Sequence, residues 1–376
     1  MTTASSTNQT ALGGNPYLLL TPGPLSTSKT VKEAMLRDWC TWDKDYNELV
    51  QSIQSRLVEL AGAKTDEYTA VLMQGSGTFS VEAVISTVMP SEGKLLILTN
   101  GAYGNRIAEI THLYNIEATV LDFGEVAPVS PEAVDRILAE DQDITHVIFV
   151  HCETTTGMLN PIHEITSIAK RYGKTIMVDA MSSFGGIPLN IQELHIDYLI
   201  SSANKCIQGV PGFGFILART NSLKMCKGQA RTVSLDLYSQ WETMEKGGGK
   251  WRYTSPTHVV RAFDQALKEL AEEGGVEARY ARYKNNQQLL VNGMTKLGVE
   301  ALLQPEVQSP FITAFQFPQS EQFSFEELYT RMKLAGYVIY PGKISAADTF
   351  RIGSIGEVYP EDIENLLQVI ADNRFW

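Results

Sequence analysis

The sequence predicts an α/β protein: a large domain on a mostly parallel sheet covered by helices, then a smaller α+β domain at the C-terminal end. Three observations carry that expectation. Short, apolar runs alternate with helix-like segments between residues 70 and 219. Such runs suit strands buried on both faces, as parallel strands are. Glycines and polar residues recur just after those runs, at the carboxyl ends where ligands bind open α/β sheets. The pattern changes after residue 220. The 376-residue length also suits two domains, because single cores rarely grow far beyond about 250–300 residues.

The elements follow in order. Pro22-Gly23-Pro24 form a rigid turn at the head of the ordered chain. Residues 46–60 have apolar positions near helical spacing and predict a helix. The runs Ala70–Met73, Leu95–Leu98, His146–Val150, Thr175–Val178, Tyr198–Ser202 and Gly214–Arg219 predict six strands. Helices are expected over 80–88, ended by Pro90, and over 163–172. Lys246-Gly247-Gly248-Gly249-Lys250 is a loop, and 256–290 reads as one long helix or two. Beyond a break at 305–310, strands are expected at 311–317, 338–340 and 350–352, with helices at 325–334 and 360–372.

Composition narrows the class. Lys plus Arg number 31 and Asp plus Glu 43, a net charge of −12, and 44% of residues are hydrophobic. A mainly disordered chain and a small disulfide scaffold are excluded. The acidic balance argues against nucleic acid as a partner. It does not exclude a small anion, which one arginine and a helix end can hold. No apolar stretch is long enough to span a bilayer. The opening MTTASSTNQTALGG lacks the basic and apolar regions of a signal peptide and reads as a tail. Cys40, Cys152, Cys206 and Cys226 form no CxxC pair, as expected of reduced thiols in a cytoplasmic protein.

Several residues could carry chemistry. Gly75-Ser76-Gly77-Thr78 lies between a strand and a helix, where backbone N–H groups, two hydroxyls and a helix N-terminus suit a phosphate; an ordinary capped loop is the other reading. Asp179 ends an apolar strand, where a carboxylate needs a partner: a structural cation, or a ring nitrogen at the sheet mouth. Lys205 follows another such strand, and a poorly hydrated lysine there would be an amine nucleophile rather than a surface charge. Together these three supply the attachments of pyridoxal phosphate: its phosphate, its ring nitrogen and its aldehyde. Tyr103, in Asn100-Gly101-Ala102-Tyr103-Gly104, either stacks on a cofactor ring or packs in the turn. Arg351, on an apolar strand, holds a carboxylate of the chain or of a substrate. The six histidines are scattered without HExxH, so no metal is expected; adjacent His151 and Cys152 would point to opposite faces of a strand. No Gly-x-Ser-x-Gly elbow marks a hydrolase.

Two stretches, LLLTPGPLSTSKTVKEAMLRDWCTWDKDYN from Leu18 to Asn47 and SSANKCIQGVPGFGF from Ser201 to Phe215, make the chain resemble the class V, fold-type I, pyridoxal-phosphate aminotransferases. The resemblance runs from about residue 16 to the C-terminal end. It implies a seven-stranded sheet and the cofactor pyridoxal 5′-phosphate. It implies a flexible tail over 1–15, a cofactor-binding domain over 16–270 and a small domain over 271–376. It makes Lys205 the residue that carries the cofactor and then moves the substrate's proton, and Asp179 the partner of the ring nitrogen. It has Tyr103 stack on the ring, Ser76, Gly77 and Thr78 hold the phosphate, and Thr154 contact the ring's 3-oxygen side. Thr254 would reach the phosphate in a neighbouring subunit, so a homodimer with sites at the interface is implied. Arg351 would grip the substrate's anion. The substrates implied are 2-aminoethylphosphonate and pyruvate, in a ping-pong exchange. The alternative within the family is an alanine- or serine–glyoxylate-type enzyme. A phosphonate and a carboxylate differ in charge and size, so a donor besides Arg351 is expected, with Arg106 and Arg37 as candidates.

Overall fold

The computed structural model describes residues 15–344 and 347–376. The expected tail lies outside the described residues except for Asn15.

Strand β1 (Leu18–Leu19) opens the described chain. Strands β2 (Tyr68–Gln74), β3 (Lys94–Thr99), β4 (Glu117–Asp122) and β5 (Ile144–Val150) follow, separated by helices. A short hairpin of β6 (Cys152–Glu153) and β7 (Met158–Leu159) comes next. Strands β8 (Thr175–Asp179), β9 (Tyr198–Ser202) and β10 (Phe213–Arg219) complete a seven-stranded sheet. Its order is β2-β10-β9-β8-β5-β3-β4. Strand β10 runs against both neighbours, and the other pairings are parallel. The expected mostly parallel sheet of seven strands is therefore present.

The apolar runs fall in the sheet because both of its faces are covered. Val147, Ile148 and Phe149 of β5 and Leu199 and Ile200 of β9 are fully buried. Edge strand β4 was missed for the converse reason: it alternates exposed and half-buried residues and has no apolar run. The helix Thr257–Glu273 is fastened to the sheet by aromatics. Phe263 meets Phe213 edge-on at 5.1 Å between centroids and Phe215 at 5.8 Å. Where one long helix or two were expected there are two, Thr257–Glu273 and Gly275–Lys296. The break is Gly274, whose φ of +109° suits a residue without Cβ.

The C-terminal domain is α+β. Strands β11 (Ile312–Gln316), β12 (Tyr337–Val338), β13 (Tyr340–Pro341) and β14 (Thr349–Gly353) alternate with the helices Phe325–Leu334 and Pro360–Asp372. The antiparallel order is β11-β14-β13, and Phe315 stacks on Phe350 at 5.7 Å. The single strand expected at 338–340 is divided between two partners. Tyr337 and Val338 pair with β1, whereas Tyr340 and Pro341 pair with β14. Leu18 and Leu20 thus pack in the small domain's core, although they precede the large domain in sequence.

Phe263→Ala removes a fully buried ring at the join of helix and sheet, and is expected to cost about 3–5 kcal/mol. Urea unfolding would measure it; a loss below about 1 kcal/mol would show that this aromatic contact does not fasten the helix.

Candidate active site

The carboxyl ends of β2, β3, β8 and β9 face one cavity of about 580 Å³. Gly75–Thr78, Tyr103, Asp179 and Lys205 line it, together with Arg106 and Met181. Residues spread over 130 positions of sequence meet because each follows a strand that ends at the same sheet edge.

The β2 turn supplies an anion cradle. The helix Gly77–Val88 begins at the cavity, with Ser76 at its N-cap. The Ser76 side chain makes no capping bond, so its hydroxyl is not spent on the helix. A Cβ at Gly77 would meet the tip of the Met181 side chain, so a larger residue there would require Met181 to move. Arg106 Nη1 donates to Thr78 Oγ1 at 3.1 Å and adds positive charge beside the turn.

Asp179 is buried at the end of β8. The Met181 backbone N–H donates to its Oδ1 at 2.9 Å. Burial outweighs that bond and pushes the carboxyl up to about 6, with Glu153 adding repulsion. A cation against Asp179 would reverse this cost.

Lys205 lies just beyond β9. Its Nζ donates to the Pro22 carbonyl at 2.5 Å. A Cβ at Gly23, where φ is +129°, would stand 2.8 Å from Nζ, so the Pro-Gly-Pro turn fits closely over the amine. Burial lowers the lysine's affinity for a proton.

Three expected residues stand outside the cavity lining. Arg351 is buried on β14 and donates from Nη1 to the Thr154 carbonyl at 2.7 Å and from Nε to the Pro341 carbonyl at 3.0 Å. Thr154 thus meets Arg351 through its backbone. Thr254 is exposed and lines a neighbouring cavity of about 350 Å³, which shares Gly75 and Phe79 with the first. Of the two additional cations expected, Arg106 lines the main cavity, whereas Arg37 pairs with Asp45 at 3.5 Å on the surface. His151 is buried, with its Nδ1 2.9 Å from Ser183 Oγ.

Two residues at the site escaped sequence reasoning. Glu153, fully buried, accepts from the Tyr103 N–H at 3.1 Å and from the Thr155 N–H at 3.0 Å, and burial raises its pKa. Lys343 places its ammonium 5.1 Å from the centroid of the Tyr103 ring. A lysine after a glycine in a loop carries no local signal.

These residues suit pyridoxal phosphate. An anion cradle, an uncompensated carboxylate, a poorly hydrated amine and an aromatic ring share one cavity, matching the group's phosphate, ring nitrogen, aldehyde and ring face.

A family model described as "Aminotransferase class-V" matches residues 28–346. A 2-aminoethylphosphonate–pyruvate transaminase from Bacteroides fragilis is 59% identical over 361 residues, 96% of this chain and 99% of that one. One from Bacillus cereus is 60% identical over 357 residues, 95% of this chain and 98% of that one. Among solved structures, a pyridoxamine–pyruvate aminotransferase from Mesorhizobium loti superposes with a TM-score of 0.87 at 22% identity, covering 96% of this chain and 92% of that one. An alanine–glyoxylate aminotransferase from Nostoc sp. gives 0.86 at 22%, covering 95% of each chain. Those two structures share the fold.

The Asp179 environment sets a pH dependence. A raised acid pKa means that the folded cofactor-free protein binds more protons than the unfolded chain between about 4 and about 6, so this group's contribution to stability falls as pH rises through that window. Asp179→Asn is expected to remove a slope amounting to roughly 3 kcal/mol. Denaturation at several pH values would measure it, and parallel curves for the two proteins would contradict the burial argument.

Proposed function

The chain belongs to the class-V aminotransferases, and from that membership we propose that it transfers the amino group of 2-aminoethylphosphonate to pyruvate, giving phosphonoacetaldehyde and L-alanine. The observation that carries this reading is about 60% identity, along nearly the whole chain, to transaminases named for that reaction. Pyridoxal 5′-phosphate, when bound, supplies an aldehyde for the amino group and a conjugated ring that accepts the electron pair left as the substrate carbon loses its proton.

The protein's own residues divide the remaining work. Ser76, Gly77 and Thr78, at the N-terminus of the helix Gly77–Val88, would hold the phosphate. With the cofactor bound, Asp179 would pair with the ring nitrogen and favour its protonated form. Tyr103 would offer its ring face, and Thr154 would lie toward the 3-oxygen side. Lys205 would hold the aldehyde and serve as the base that moves the proton at the substrate carbon. Its burial supports this, because an amine must be neutral to accept a proton. Arg351 binds the anionic end of either substrate, held by the Pro341 and Thr154 carbonyls in a fixed orientation.

Ping-pong exchange needs only one such site, because the two substrates use it in turn. We also propose a cytoplasmic homodimer whose partner completes the site through Thr254. The exposure of Phe79 and Tyr253 beside the cavity mouth, each about half accessible, supports a covering partner. Among the described residues no helix is long and apolar enough to cross a membrane.

The test is spectroscopic. The purified holoenzyme should absorb near ~400–430 nm, lose that band on adding 2-aminoethylphosphonate without a keto acid, and regain it with pyruvate. Lys205→Ala should abolish the cycle. A band that ignores the phosphonate but responds to L-alanine or L-serine would move the function to an alanine- or serine–glyoxylate-type exchange. No band after added cofactor would overturn the enzymatic reading.

A further inference from the structure

The site must accept a phosphonate dianion in one half-reaction and a carboxylate monoanion in the other. Arg351 meets both, but its fork is partly committed: Nη1 and Nε are bound to the Thr154 and Pro341 carbonyls. What remains is a fixed donor set that can take two oxygens of either anion at most. Arg106 spends one Nη on Thr78, at the cradle end.

Lys343 differs from both. It follows β13, which pairs with β14 so that Tyr340 lies opposite Arg351. This strand pair brings Lys343, two residues past β13, close enough to Arg351 to feel its charge. Two cations lie near the ring of Tyr103: Lys343 Nζ is 5.1 Å from its centroid and Arg106 Cζ is 5.2 Å from it. Lys343 is exposed, yet partial desolvation lowers its proton affinity, and repulsion from Arg106 and Arg351 lowers it further, with Glu153 opposing. Three cations stand against this one carboxylate. Such a cluster is costly until an anion enters, and a dianion relieves more of the repulsion than a monoanion. An ammonium on a flexible stem, with three donors, can also reach the third oxygen that a phosphonate has and a carboxylate lacks.

We propose that Lys343 selects the phosphonate donor, binding its head group together with Arg351, while the carboxylate substrates depend on Arg351 without it. The proposal rests on the amino-donor assignment made above.

The two half-reactions supply the control. Holoenzyme is mixed separately with 2-aminoethylphosphonate and with L-alanine, and loss of the cofactor band is followed in each case. Lys343→Gln should lower kcat/KM for the phosphonate by roughly 10–100-fold, the loss of a charge-assisted contact, and for L-alanine by less than about threefold. Lys343→Arg should restore most of the phosphonate rate. An equal loss with both donors, or no loss with either, would overturn the proposal. Should Lys343→Gln fail to retain the cofactor band, Lys343→Met is judged by the same ratio. A wild-type enzyme that reacts with L-alanine but not with the phosphonate would instead overturn the donor assignment.

Discussion

A carboxylate and an amine share the poorly hydrated end of a parallel sheet, and burial disfavours the charged form of each. Asp179 is pushed up and Lys205 down for the same reason. The surrounding structure keeps water away and offers specific partners instead. The Pro22 carbonyl accepts a hydrogen bond from Lys205, and the Met181 N–H donates to Asp179. A cationic ring nitrogen and an aldehyde would resolve both imbalances, so the cavity is preorganised for a cofactor before one binds.

The second constraint is the joint between domains. Arg351 stands on a strand of the small domain, yet its Nη1 is bound to a carbonyl of the large one. Strand β1 adds a second tie, because it pairs with β12 and then leads directly into the turn over Lys205. Arg351 and Lys205 are therefore each held by contacts that span both domains. Glu153 works at the same place, accepting from the turn that carries Tyr103 while lowering the cost of the cations around it.

Much of this was legible in the sequence where burial is two-sided. Asp179, Lys205 and the Ser76–Thr78 turn stand out because each follows an apolar run, and strand ends converge. Strand β4 did not, because an exposed edge has no such run. The division of residues 337–341 between two sheets was also hidden, since it depends on a partner near the N-terminus. Glu153 reads as one polar residue in a polar turn, and Lys343 as a loop lysine. Their importance comes from the tertiary approach of Tyr103 and Arg351, which no local pattern encodes. The Thr154–Arg351 contact runs through a backbone carbonyl, which carries no residue-type signature.

The pairing of β1 with β12 also bears on how the molecule is made. Leu18 and Tyr337 are roughly three hundred residues apart, so this contact raises the contact order of the fold. During synthesis the first strand emerges long before its partner and waits until residues 337 and 338 have left the ribosome. The turn that covers Lys205 is anchored through that strand. The surroundings of Lys205 are thus completed only after β12 is made, and a chain truncated before β12 would leave the turn over Lys205 on a strand without its partner.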